Sequence, residues 1–151
     1  MNLENKIRFS SLLNWILTSF KYGAWAPILV FTSHCVAIFV FNIYRYFPWF
    51  DIPMHFVGGM AITYFFIESV LSAYNHKFLG KPSIITIILL IFLLTSTTTI
   101  FWEFTEWGAD AFLGMHTQAG LDDTLLDMLL GMLGGLLAIG LRKRYILKNI
   151  K

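Results

Sequence analysis

Acidic and histidine side chains recur at helical spacing in three separate parts of the chain. Residues three or four positions apart lie on one face of a helix, so each part presents its polar groups together. Carboxylate oxygens combined with one or two imidazoles suit divalent cations such as Mg²⁺, Mn²⁺, Ca²⁺ or Zn²⁺. The three groups are Asp51 with His55, Glu103 with Glu106 and Asp110, and Asp123 with Asp127.

The composition predicts that these groups lie in a membrane. The chain has 151 residues, of which 57% are hydrophobic and 13% charged, and its mean hydropathy is +0.67. Soluble domains usually carry about 25% charged residues, so an ordinary soluble domain and a disordered chain are both excluded. A net charge of +2 gives no reason to expect a nucleic-acid partner. Cys35 is the single cysteine, so an intrachain disulfide is excluded.

Four apolar segments meet or approach the roughly 20 residues that a helix needs to cross a bilayer. The fourth is the least hydrophobic, because Asp127 lies within it. We therefore predict an all-α integral membrane four-helix bundle, formed as one domain by residues 22–151 and surrounded by the lipid bilayer. The predicted spans are residues 24–45, 53–74, 83–104 and 123–141.

The basic residues predict an orientation for the bundle. If the four spans alternate in direction, ten of the 11 Lys and Arg residues fall on one side of the membrane, and Arg45 falls on the other. Because basic loops are retained in the cytoplasm, we predict an inner-membrane protein with both termini cytoplasmic. The three acidic groups then lie at the extracytoplasmic ends of their helices.

Residues 1–21 are predicted to form an interfacial amphipathic helix on the cytoplasmic leaflet. The alternative is a cleaved signal peptide ending near Ala24-Trp25-Ala26, but polar residues interrupt the apolar run that it requires. The apolar side of the helix comprises Phe9, Leu12, Leu13, Ile16, Leu17 and Phe20, and the polar side Ser10, Ser11, Asn14, Thr18 and Lys21.

Helix capping is the alternative explanation for some of the acidic residues. Asp51, Asp122 and Asp123 come just before apolar helices, where a negative charge complements the helix dipole. Capping does not explain Glu103, which lies near a helix C-terminus, or Asp127, which lies inside a span. We therefore expect a shared polar site that Asp122 does not join. The predicted metal ligands are Asp51, His55, Glu103, Glu106 and Asp127, with Asp110 and Asp123 as candidate catalytic bases.

Other features lie deeper in the spans. Glycines on the second and fourth spans predict that these two helices approach closely. His34 and Glu68 lie at similar predicted depths on adjacent helices, so we expect an interhelical hydrogen bond or a proton relay. Hydroxyl side chains at residues 96–99 are expected to bond to their own helix. The glycines are Gly58, Gly59, Gly131, Gly134 and Gly135.

Three blocks of sequence carry a family resemblance. Over residues 48–137 the chain resembles the YjdF-like inner-membrane proteins, which are in turn distantly similar to VanZ-like proteins. VanZ-like proteins tend to have Gln and Asn where this chain has Glu106 and Asp127. The resemblance implies a membrane fold with a polar site rather than a particular reaction. The blocks are Asp51-Ile-Pro-Met-His55-Phe56, Trp102-Glu103-Phe-Thr-Glu106-Trp107 and Asp123-Thr-Leu-Leu-Asp127-Met128, followed by Gly131 and Gly134.

Three functions fit this pattern. A metal-dependent enzyme would polarise the phosphoryl group of a lipid or envelope head group, with Asp110 or Asp123 as base. A transporter would collect a proton or cation and pass it inward through His34 and Glu68. Because four helices make a narrow protomer, transport would require a homo-oligomer. An accessory membrane protein would engage a partner through its acidic face. The ligand types favour the enzyme, although serine–histidine–acid, phosphate-loop and H-E-x-x-H patterns are all missing from the sequence.

Overall fold

A computed structural model describes the backbone of residues 3–150 and the side chains of residues 9–150. Every regular element in this range is a helix. Three helices are long and apolar enough to cross a membrane, and the first two helices form a fourth candidate if they are one span bent by 54°. The helices are α1 Leu3–Gly23, α2 Trp25–Phe39, α3 Ile43–Tyr46, α4 Asp51–Asn75, α5 Ile84–Leu113 and α6 Leu121–Asn149, with a 3₁₀ turn at Pro48–Phe50.

The first apolar segment differs from the predicted continuous span over residues 24–45. Helix α2 ends at Phe39, and its 15 residues rise about 22 Å, less than the roughly 30 Å of a hydrocarbon core. The helix stops because Asn42 adopts the left-handed conformation, with φ 48°. Pro48, shortly afterwards, lacks the N–H that a longer helix would require. A span in this region therefore needs residues from α1 as well.

Helix α1 packs lengthwise against α4. The indole N–H of Trp15 donates to the carbonyl oxygen of Ser69 at 2.9 Å, and the rings of Phe20 and Phe65 meet edge to face. The apolar side predicted for this helix, from Phe9 to Phe20, is exposed. Residues 1–2, and the side chains as far as residue 8, are part of the predicted amphipathic helix but lie outside the described residues.

Glycines allow α4 and α6 to cross in direct backbone contact. A Cβ atom on Gly59 would overlap the carbonyl group of Gly131, and one on Gly134 would overlap that of Phe56. The predicted close approach is therefore confirmed at this crossing. Gly58 is an exception, because a Cβ atom there would meet no atom within 4 Å. Since the two backbones touch, side chains one turn beyond the crossing face one another across a short gap.

The two ends of the bundle differ in chemistry. One end, which we call the acidic end, contains the starts of α4 and α6 and the finish of α5. The opposite, basic end contains Arg142 and the loop between α4 and α5 with Lys77 and Lys81. Apolar side chains from α4, α5 and α6 fill the interior towards the basic end. That core comprises Ile67, Val70, Leu71, Ile87, Ile91, Ile139 and Ile146.

The hydroxyl groups of α5 bond largely within their own helix, as predicted. Ser96 donates to the carbonyl of Phe92 and Thr98 to that of Leu94, both at 2.9 Å. Such bonds satisfy hydroxyls in an apolar surrounding without a partner helix. Thr95 differs, since its hydroxyl lies 2.8 Å from that of Thr63 on α4. That contact ties α5 to the α4–α6 pair beside the glycine crossing.

Candidate metal centre

The acidic end places the imidazole of His55 between carboxylates from three helices. Its Nε2 atom lies 3.4 Å from an oxygen of Asp51 and 3.8 Å from one of Asp127. Its Nδ1 atom lies 3.8 Å from an oxygen of Glu103, and Glu106 lies beside that oxygen. The structure thus brings together all five predicted ligands, while their role in binding a metal stays a prediction.

These carboxylates are crowded and poorly solvated. Asp127 is 2% exposed and Glu103 is 5% exposed, although acidic residues are rarely buried without a partner. The Oε1 atom of Glu103 is buried, and no hydrogen bond to it is found among the described residues. A buried polar atom left without a partner costs about 1–3 kcal/mol, and more when it is charged. A proton or a cation bound at this point would therefore stabilise the folded chain.

The ligand atoms form two groups that share His55. The first group is Asp51, His55 and Asp127, and the second is His55, Glu103 and Glu106. Within each group, one atom per residue lies within 4.8 Å of the others. Ligands around a bound metal such as Zn²⁺ are about 3–4 Å apart, so small side-chain movements would close either group.

A neutral imidazole binds a metal through one nitrogen and donates its N–H from the other. One carboxylate pair can therefore hold the cation while the other orients His55. The donor set fits a divalent cation in either arrangement, because each group supplies two carboxylates and one imidazole nitrogen.

Tyr44 and His34 extend the cluster towards α2. The hydroxyl of Tyr44 donates to Asp51 at 3.0 Å, and Nδ1 of His34 lies 3.3 Å from that hydroxyl. Burial and the nearby charge of Asp51 raise the pKa of the Tyr44 hydroxyl, so it stays protonated and keeps donating. No sequence pattern indicated Tyr44, because its position depends on the turn between α2 and α4.

The predicted hydrogen bond between His34 and Glu68 is wrong. Glu68 lies towards the basic end, where its carboxylate is 2.7 Å from the guanidinium of Arg142. The prediction counted depth from the start of the apolar run, as if that point were at the membrane surface. In the structure Gly23 packs against Phe65, near the middle of α4. His34, further along the chain, therefore lies beside the acidic end.

Two further residues hold the glutamates in place. The indole N–H of Trp102 donates to Glu106 at 2.8 Å. The side-chain amide of Gln118 donates to the backbone carbonyl of Glu103 at 3.1 Å and lies 3.4 Å from its carboxylate. The four-residue spacing of Trp102 and Glu106 could have predicted the first contact. The second depends on how the loop between α5 and α6 folds, and no local sequence pattern marks it.

The two predicted bases lie outside both ligand groups. Asp110 accepts hydrogen bonds from the backbone N–H and the hydroxyl of Thr117 and from the N–H of Gln118. Asp123 accepts one from the N–H of Ala119 at 3.0 Å. These bonds fix the loop between α5 and α6 and so position Gln118. A catalytic role for either aspartate stays a prediction, and Asp122 is exposed and outside the cluster as expected.

Comparison with known proteins identifies relatives. The chain is 35% identical over 94 residues to an uncharacterized protein of Thermotoga maritima, a match that covers 62% of this chain and 47% of the relative. The aligned part thus spans about half the length of that protein. No solved structure shows a significant match, and similarity to VanZ-like proteins stays a prediction. A family described as "Predicted membrane protein (DUF2238)" matches residues 4–148. Because this match covers nearly the whole chain, the protein belongs to the DUF2238 family of predicted membrane proteins.

Proposed function

We propose that the acidic end binds a divalent cation and acts with it on a phosphate-bearing lipid or envelope head group. The observation that carries the proposal is the imidazole of His55 between two carboxylate pairs. Beside it lies a buried oxygen of Glu103 to which none of the described residues donates a hydrogen bond. When bound, a cation of this kind polarises a phosphoryl oxygen or lowers the pKa of a water molecule. The chain's own part is to hold that cation and to fix the orientation of His55 through the carboxylates around it.

The charge of the cluster supports this class of ligand. Without a cation, the clustered carboxylates would repel a phosphate group. The site can therefore bind a phosphate only when a divalent ion lies between the phosphate and the carboxylates. A cleft between α5 and α6 reaches the cluster at the acidic end, and Glu103, Asp110 and Gln118 line it. The wall of this cleft is otherwise mostly apolar, so it offers an entrance for a head group that carries an apolar chain.

We further propose that α1 and α2 together cross the membrane as one bent span, which makes four spans with α4, α5 and α6. Both termini then lie in the cytoplasm, and the acidic end faces the extracytoplasmic side of the inner membrane. Support comes from the order of contacts along α4. Trp15 packs on Phe78 just past the basic end of α4, and Trp25 packs on Tyr64 near its middle.

A proton- or cation-coupled transporter is the second candidate. Hydrogen bonds link His34, Tyr44 and Asp51, and Asp51 lies against His55, so proton-exchanging groups follow one another there. That series lies in the acidic half of the bundle. No described hydrogen bond joins it to the ion pair of Glu68 and Arg142. Transport would therefore require a further path, such as one between subunits of a homo-oligomer.

Binding of Mn²⁺ to detergent-purified protein tests the first proposal. We expect the wild type to bind Mn²⁺, and Glu103→Gln and Asp127→Asn to weaken binding by at least about 10–100-fold. Asp122→Asn is the matched control, because it removes a carboxylate at the same end but outside both groups. Wild-type protein that binds none of Mn²⁺, Mg²⁺, Ca²⁺ and Zn²⁺ would refute the proposal. Proton-linked flux in liposomes would then favour the transporter, and its absence an accessory role.

A further inference from the structure

An apolar cavity of about 300 Å³ adjoins the candidate metal centre. It lies between α2, α4 and α5, and His55 forms part of its wall. The same residue is the shared member of both ligand groups. The cavity and the polar cluster therefore share His55 as a wall residue. Its remaining wall includes Val30, Phe31, Met54, Ile62 and Trp102.

Gly58 keeps this cavity open. A Cβ atom there would meet no atom within 4 Å, whereas one on the neighbouring Gly59 would overlap the backbone of α6. Close helix packing thus explains Gly59 but not Gly58. Glycine weakens a helix interior because it has more conformational freedom to lose on folding. The space that Gly58 leaves unfilled belongs to the cavity, so its missing side chain makes room for a ligand.

The bilayer supplies the kind of molecule that fits this cavity. Buried water needs two to four polar partners, and the wall of this cavity is mostly apolar, so the cavity favours an apolar ligand over water. A volume of about 300 Å³ is enough for part of an acyl chain. A ligand that fills the cavity and also reaches the cluster must have an apolar chain joined to a polar group.

We infer that the cavity between α2, α4 and α5 binds an acyl chain of a phosphate-bearing glycerolipid, whose head group then lies against the candidate metal centre. This inference rests on the proposed function and identifies the class of its substrate. His55 is the point where the two parts of the ligand meet, since it lines the cavity and lies within the cluster.

Photo-crosslinking from within the bilayer tests the inference. The protein is reconstituted in vesicles of phosphatidylethanolamine and phosphatidylglycerol, with part of the phosphatidylglycerol carrying a diazirine in one acyl chain. We expect adducts at Val30, Met54 and Ile62 to exceed those at Leu89 and Leu93, which are exposed on α5. Equal labelling of both sets, as surrounding bulk lipid would give, would overturn the inference.

Filling the cavity should exclude the chain. We expect Gly58→Leu to lower the adducts on the cavity wall about ten-fold, which corresponds to about 1.4 kcal/mol of binding. Thr98→Leu places a larger side chain on the opposite wall of the cavity, on α5, and should have the same effect. It replaces Gly58→Leu in the test if that variant folds poorly. The matched control is Gly140→Leu, a helical glycine with equally open surroundings that does not line the cavity. Unchanged wall adducts in properly folded Gly58→Leu and Thr98→Leu would contradict the inference.

Two further measurements separate this inference from the proposed function. Gly58→Leu should still bind Mn²⁺, so loss of acyl labelling with retained metal binding supports a separate acyl site. Wild-type labelling of the cavity without any metal binding would refute the proposed function and leave an acyl site without the assigned head group. Unlabelled phosphatidylglycerol should compete better than diacylglycerol with the same chains. Equal competition would overturn the assignment to a phosphate-bearing lipid.

Discussion

At the scale of single residues, His55 determines how the acidic end can work. Its two nitrogens face different carboxylate pairs. One nitrogen can therefore bind a cation together with one pair, while the other donates a hydrogen bond to the second pair. Ordinary helical spacing places Asp51 beside His55, since Asp51 lies one turn before it on the same face of α4. The candidate ligands could therefore be predicted from the sequence. Tyr44 and Gln118 could not, because turns outside the long helices position them.

Thermal melting with and without a chelator should distinguish a metal centre from simple charge repulsion. If a divalent ion binds, the chelator lowers the Tm of the wild type, because a ligand that binds the folded chain stabilises it. Glu103→Gln should then melt at the same temperature with and without chelator. If no ion binds, the chelator has no effect, and Glu103→Gln raises the Tm at neutral pH because it removes one of several crowded charges.

Tyr44→Phe tests whether the hydrogen bond to Asp51 supports the centre. Removing the hydroxyl should weaken Mn²⁺ binding by about 10-fold, since partners that orient ligands commonly contribute about 10–100-fold to affinity. Tyr46→Phe is the control, because Tyr46 lies on the same short helix but is 67% exposed. Equal affinities of the two variants for Mn²⁺, measured by titration, would mean that Tyr44 only fills space.

At the scale of helices, the crossing of α4 and α6 connects backbone packing to the site. The sequence predicted which helices approach, because glycines fall one turn beyond the polar residues on both of them. It did not show that Gly58 and Gly59 have different roles, since that depends on how α4 is rotated. The length of the apolar run predicted the position of α5 but underestimated the length of the helix. The helix continues through the polar residues after 104 and ends where Gly114 takes φ 65°.

Alanine substitutions should separate the two neighbouring glycines. Gly59→Ala places a methyl group on the carbonyl of Gly131, so we expect a loss of about 1–3 kcal/mol in the free energy of unfolding. Mn²⁺ binding should weaken as well, because α6 carries Asp127 away from His55. Gly58→Ala should leave stability unchanged or raise it by up to about 1 kcal/mol. Equal unfolding transitions for both variants would contradict the close crossing.

The ion pair of Glu68 and Arg142 joins the same two helices near the basic end. The guanidinium lies between the rings of Tyr64 and Tyr145, at 4.4 and 4.1 Å from their centres. Glu68→Gln or Arg142→Gln alone should destabilise the protein, since each leaves a partly buried charge without its partner. The double variant should recover part of the loss, which a double-mutant cycle measures. Mn²⁺ binding should be unaffected in all three, because this pair lies away from the ligand groups.

At the scale of the whole molecule, the path of α1 and α2 determines the topology. The predicted interfacial helix and the predicted first span meet at residues 21–24, and the chain bends by 54° there, between Gly23 and Trp25. Hydropathy did not show that α2 ends at Phe39 and is too short to cross the membrane by itself. Phe20 and Trp25 pack on Phe65 and Tyr64 of α4. From Trp15 beside Phe78 to His34 beside Trp102 of α5, the two helices thus pass from the basic end to the acidic end. That order of contacts is what a single crossing would produce.

Reporter fusions can therefore distinguish four spans from three. With α1 and α2 as one crossing, reporters fused before Met1 and after Lys151 should both be cytoplasmic, in agreement with the ten basic residues on that side. A cysteine at Thr117, in the loop at the acidic end, should react with a membrane-impermeant thiol reagent added from outside, with Cys35 replaced by Ala as background. If α1 and α2 instead turn back within one leaflet, the N-terminus moves to the outside while the C-terminus stays in the cytoplasm. An extracytoplasmic reporter after Lys151 would contradict both arrangements and place the candidate metal centre on the cytoplasmic side.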